Sequence, residues 1–113
     1  MKTVFIVEDE VIISIFIKKF LEKRGFDVLG TSTNGKLALE IISDKRPDFV
    51  IIDVTLKGGI SGIEVANKIN EIYNPKIIFV TGLDERSLGP VKGNYSYLRK
   101  PFENNDLLKI LQN

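Results

Sequence analysis

The chain has 113 residues, 43% hydrophobic and 27% charged, and its 16 basic and 15 acidic side chains leave a formal charge of +1. Single domains run to roughly 100–150 residues, so residues 1–113 are expected to form one domain. So even a charge balance excludes a dedicated nucleic-acid binder, and the apolar content excludes a disordered chain.

Two residue types are missing, and both absences narrow the chemistry. Without cysteine there is no disulfide framework, thiolate nucleophile or zinc-thiolate site. Without histidine there is no Ser-His-Asp apparatus and no imidazole ligand, and the chain cannot itself carry a phosphohistidine. The apolar stretch Val11 to Ile17 falls well short of the ~20 residues of a membrane span. The N-terminus reaches Glu8 and Asp9 too soon for a signal peptide. These features predict a cytoplasmic domain with no membrane insertion and no direct nucleic-acid binding.

In chain order, Val4-Phe5-Ile6-Val7 is a continuous β-branched and aromatic run, as in a strand covered on both faces. Residues 11 to 24 read as a helix that buries Ile13, Phe16, Ile17 and Phe20, with Gly25 as its stop. Phe26 to Gly30 is a second strand. Asn34-Gly35 marks a turn before a helix burying Ala38, Ile41 and Ile42. Phe49 to Ile52 follows as a third strand and ends on Asp53. A glycine-rich loop then leads into a helix through about Tyr73, with Val65, Ile69 and Ile72 on its apolar side. Lys76 to Val80 is the fourth strand, ending on Thr81. A weak helix around Asp84 to Leu88 is broken by Gly89-Pro90. Tyr95 to Leu98 is the fifth strand, and a last helix from about Glu103 buries Leu107, Leu108 and Leu111. Strand and helix thus alternate five times, which predicts an α/β fold with a parallel sheet wound on both faces.

In such sheets functional groups gather beyond the carboxyl ends of the strands. Here those ends carry Glu8 and Asp9, then Asp53, Thr81 and Lys100. Acidic residues at strand ends can simply mark solvated loops. Converging carboxylates, however, repel one another, and a hard divalent cation is the natural relief.

This ordered set resembles the receiver domains of two-component response regulators over essentially the whole chain. The residues that carry it are Glu8-Asp9, Asp53, Thr81-Gly82, Lys100-Pro101-Phe102 and the run Ser61-Gly62-Ile63-Glu64 that opens the third helix. The resemblance implies a flavodoxin-like, CheY-like (βα)5 fold with strand order 2-1-3-4-5. It implies Asp53 as phosphoacceptor, Thr81, Lys100 and the Gly82 N–H as phosphoryl-binding groups, and Mg²⁺ (or Mn²⁺) held by Asp9, Asp53, the Thr55 carbonyl and, through water, Glu8. It also implies a switch through Thr81 and Tyr97, with Leu83 restraining loss of the phosphoryl group. The phosphoryl donor would be a histidine kinase or histidine phosphotransfer protein acting in trans, with Val11 and Ile15 of the first helix part of its contact. Such a domain is a signalling switch rather than a metabolic enzyme.

Two departures stand out. Lys57 occupies a position usually held by proline and Gly62 comes one residue late, which predicts a longer, looser loop. The stretch from Thr81 to Lys100 is about one helical turn short, which puts the family's usual dimer face in doubt. Three alternatives are weaker. A haloacid dehalogenase-type phosphatase needs an acid where Thr55 stands, and a flavin or nucleotide module needs a phosphate loop where Glu8-Asp9-Glu10 would repel it. A receiver that signals without phosphate would have little reason to keep all five site residues.

Overall fold

The computed structural model describes residues 2–57 and 59–112. Strands β1 (Thr3–Val7), β2 (Asp27–Ser32), β3 (Phe49–Ile52), β4 (Lys76–Thr81) and β5 (Tyr95–Arg99) form one parallel sheet in the order β2-β1-β3-β4-β5. The α-helices are α1 (Val11–Lys23), α2 (Gly35–Lys45), α3 (Gly62–Asn70) and α4 (Asn104–Gln112).

Alternation along each strand builds two cores. Phe5, Val7, Ile52 and Phe79 face Ala38 and Ile42 of α2 and Val65 and Ile69 of α3. Val4, Ile6, Ile51 and Ile78 face Ile17 and Leu21 of α1 and Leu107 and Leu111 of α4. Successive side chains point to opposite faces, so a sheet covered twice needs an unbroken apolar run. That is why the strands were plain in the sequence. The (βα)5 pattern is met with four α-helices rather than five.

The predicted fourth helix is a single 3-10 turn, Glu85–Ser87. Gly89 and Gly93 adopt positive φ (78° and 75°) on either side of Pro90, and neither conformation continues a helix. Residues 88 to 94 instead run along α3. The Asn67 side chain donates to the Pro90 carbonyl (3.4 Å) and accepts from the Lys92 N–H (2.8 Å), and Asn70 donates to the Lys92 carbonyl (2.8 Å).

Helix α1 meets the sheet as expected through Ile13, Ile17 and Phe20, which pack on the core, but not through Phe16. Ser14, Ile17 and Leu21 are buried, whereas Phe16 is 68% exposed. Its first turns are apolar nearly all round, so periodicity alone does not choose the face. Ile41 and Ile72 likewise lie at the surface, Leu108 is half-buried, and α3 stops at Asn70.

The described residues of the loop after β3 are held at several points. Val54 is buried and its carbonyl accepts the Gly62 N–H at 2.9 Å; Lys57 bridges to Asn34, and Ile60 packs on the core. Side-chain caps fix both neighbouring helices. Asn34 accepts from the N–H groups of Lys36 and Leu37, and Ser61 from that of Glu64.

Candidate functional site

Main-chain bonds join four strand ends in two pairs, β3 to β1 and β5 to β4. The Asp53 N–H donates to the Val7 carbonyl, and the Lys100 N–H donates to the Thr81 carbonyl, both at 2.8 Å. Glu8, Asp53 and Thr81 are buried, while Lys100 and Asp9 are half-buried. The Lys100 ammonium lies 2.8 Å from Glu8 Oε1, 3.0 Å from Asp53 Oδ2 and 3.3 Å from Glu10 Oε1. The other Asp53 oxygen accepts the Thr55 N–H at 3.0 Å. Above them opens a cleft of about 270 Å³, lined by Asp9, Asp53, Thr55, Thr81, Gly82 and Lys100, with Glu10 and Leu83 completing its wall. Every site residue read from the sequence near the strand ends lies on this cleft except Glu8, which sits buried beside Lys100.

Burial pushes the Glu8 carboxyl up to about 8, and the neighbouring Asp53 adds to the shift against the pull of Lys100. Burial works to lower the Lys100 ammonium, but its bonds to Glu8 and Asp53 outweigh that and hold it above the usual range. The sign for stability follows from proton counts. Between Glu8's ordinary value of 4.5 and about 8 the folded protein holds a proton that the unfolded chain has released. The contribution is therefore complete at the acid end and lost as pH rises through about 8. In a chelating buffer, urea midpoints of wild type relative to Glu8→Gln are expected to fall from pH 5 to pH 8. Parallel profiles for the two proteins would refute this.

Glu8, Asp9, Glu10 and Asp53 can each place one carboxylate oxygen within 4.8 Å of the others. An all-oxygen, multiply anionic set fits a hard divalent cation of the Mg²⁺ type. Thr55 contacts Asp53 through its N–H; it also borders the cleft, where its carbonyl was expected to serve.

Thr81 Oγ accepts the Leu83 N–H at 3.2 Å. Tyr97 is half-buried, and its hydroxyl donates to the Leu83 carbonyl. On the same strand Tyr95 donates to Glu85 (2.9 Å) and Arg99 Nε to the Gly82 carbonyl (3.3 Å). Residues 95, 97 and 99 thus tie down the segment that follows Thr81, whereas the sequence pointed to Tyr97 only, as a switch residue. Sequence reading also missed Glu10; the only signal was its place in the acidic run Glu8-Asp9-Glu10.

Val11 and Ile15 are 55% and 45% exposed, and Ile12 and Phe16 lie open beside them. A second, apolar cleft of about 500 Å³ separates α1 from the start of the β5–α4 connection, lined by Ile13, Phe16, Ile17, Pro101 and Phe102. None of the four α-helices is long and apolar enough to cross a membrane, among the described residues.

The fold and this site define a class, and residues 4–112 match the model of the response regulator receiver domain. The chain belongs to that family. It is 30% identical over 114 residues to the transcriptional regulatory protein PdtaR of Mycobacterium tuberculosis, an alignment covering 98% of this chain and 55% of the relative. The chain therefore spans about half the length of that curated relative. Its fold is also that of a CheY-like receiver domain from Methanospirillum hungatei JF-1 (TM-score 0.88, 24% identity, 99% of this chain and 91% of the other). The receiver domain of PhyR from Erythrobacter litoralis is similar too (TM-score 0.86, 28% identity, 98% and 87% covered).

Proposed function

We propose that this receiver is a phosphorylation switch in which Asp53 takes a phosphoryl group from a phosphohistidine on a partner protein. The observation that carries the reading is the Lys100 ammonium 3.0 Å from the Asp53 carboxylate, at the floor of an open cleft walled by Thr81 and Gly82. An Asp53 oxygen attacks phosphorus in line as the phosphorus–nitrogen bond breaks, leaving an acyl phosphate and a free imidazole. Such transfer asks the protein mainly for positioning and charge neutralisation. The Thr55 N–H orients the carboxylate. Lys100 and the Thr81 hydroxyl neutralise and bond phosphoryl oxygens, and the Gly82 N–H adds a donor. Mg²⁺ or Mn²⁺, held by Asp9, Asp53 and the Thr55 carbonyl with Glu8 acting through water, would neutralise the remaining phosphoryl charge.

Thr81 and Tyr97 meet through one residue, since Leu83 bonds both. A phosphoryl group that draws Thr81 toward it disturbs that residue, and Tyr97 with it. The bias between the two states is the differential contact of Thr81 with phosphate. The exposed apolar residues Val11 and Ile15 supply part of the surface for a histidine kinase or phosphotransfer protein in trans. The role is that of a cytoplasmic signalling switch, with slow hydrolysis of its own acyl phosphate.

Intact mass after incubation with acetyl phosphate tests the reading. One phosphoryl increment is expected, dependent on Mg²⁺ and lost in Asp53→Asn. Ile15→Asp should keep that increment and lower transfer from a phosphorylated histidine protein. Wild type without an increment from either donor would instead favour a receiver that signals without phosphate.

A further inference from the structure

Glu10 stands at the N-cap of α1 but makes no capping hydrogen bond with its side chain. Short side chains such as Ser, Thr, Asp and Asn are favoured at that position because they reach the free N–H groups of the first turn. The Glu10 carboxylate instead crosses to Lys100, and its main-chain N–H donates to Glu8 at 3.2 Å. Lys100 is already met by two closer carboxyl groups, those of Glu8 and Asp53. Asp53 alone matches the single charge of the ammonium, so the Glu10 carboxylate leaves the cluster net negative. The Glu10 side chain is 59% exposed, so the pair contributes little to stability. Its position is more telling. Glu10 and Lys100 are the two residues common to the acceptor cleft and the apolar cleft.

We propose that Glu10 is a charge filter on the lip shared by the two clefts, disfavouring small dianionic phosphoryl donors against donors of lower charge. The proposal rests on Asp53 being the acceptor. Two donors deliver the same group and differ in net charge at neutral pH. With acetyl phosphate, a dianion, the Asp53 oxygen–phosphorus bond forms as the bond to the acetyl oxygen breaks, and acetate leaves. With phosphoramidate, a monoanion whose nitrogen already carries the extra proton, the phosphorus–nitrogen bond breaks and ammonia leaves. The Glu10 carboxylate opposes both approaches, and the dianion about twice as strongly. A partner protein meets the same charge but gains contact energy elsewhere, which a small donor cannot.

The test compares labelling rates for the two donors by intact mass in saturating Mg²⁺, using wild type, Glu10→Gln and Glu10→Asp. Taking the ratio of the two rates cancels changes in metal affinity or folded fraction. Glu10→Gln is expected to raise the acetyl phosphate to phosphoramidate ratio about threefold, an effect that shrinks at high salt. Glu10→Asp, which keeps the charge, should hold the wild-type ratio. An unchanged ratio in Glu10→Gln, or an equal shift in Glu10→Asp, overturns the filter while leaving the acceptor reading intact. Wild type that takes no phosphoryl group from either donor overturns both.

Discussion

Lys100→Met is expected to lower the stability of the metal-free protein by about 3 kcal/mol at neutral pH and to abolish phosphoryl acceptance. The Lys100 side chain is 16% exposed, and those of Glu8 and Asp53 only 3% and 6%. Removing that cation leaves Asp53 buried against a Glu8 carboxyl that already holds its proton at neutral pH, with Glu10 nearby. Uptake of a further proton by the unpaired cluster caps the cost without cancelling it. The loss should therefore shrink at pH 5, where protons are cheap, and shrink again when Mg²⁺ is added and binds the folded form. Lys100→Arg tests the second half. It keeps the charge, but a planar fork is not a compact ammonium, so stability should recover more than acceptance. Urea unfolding in chelator at pH 5 and pH 8 is the measurement. Equal losses at both pH values would mean that the apolar stem of Lys100 matters, not its charge.

Gly62→Ala should be nearly as damaging, for a steric reason. A Cβ on Gly62 would lie 2.1 Å from the Asp53 carbonyl oxygen and 2.9 Å from the Asp53 carbonyl carbon. Main-chain atoms of a central strand cannot step aside as a flexible side chain can. Either α3 withdraws or the end of β3 moves, and with it the proposed phosphoacceptor. Overpacking of this kind costs about 3 kcal/mol. A displacement of about 1 Å at the reacting atom can slow acceptance on the order of 100-fold. Gly82→Ala is the control, since nothing lies within 4 Å of a Cβ there and its stability should hardly change. If Gly62→Ala unfolds at the wild-type urea midpoint and labels at the wild-type rate, the close approach is not what fixes Asp53.

The contrast between these glycines shows what a sequence discloses. Strands β1, β3 and β4 were legible because burial on both faces forces continuous apolar runs. That the strand-end residues would lie together was legible because a parallel sheet delivers its strand ends to one edge. Glu10 was not, since its carboxylate acts on a lysine 90 positions away along the chain. The burial of Ser14 in place of Phe16 was hidden too. When a helix is apolar around its first turns, the sheet beneath it chooses the face. The loop after Asp53 looked loose because glycine and lysine dominate it, yet main-chain bonds and the buried Val54 hold it. Composition reports side chains, and those restraints are made largely by the backbone.

Where a fourth helix would stand, residues 88 to 94 follow a course set by Asn67 and Asn70, and each of those bonds ends on a main-chain atom of Pro90 or Lys92. Beyond the positive φ of Gly89 and Gly93, the route is thus written in α3, outside the segment that follows it. Leu88 and Val91 anchor the segment to the core, but the side chains at 90 and 92 are not consulted by the bonds that steer it. Such a surface can change its outward chemistry by substitution, generation after generation, while its backbone stays on the same track.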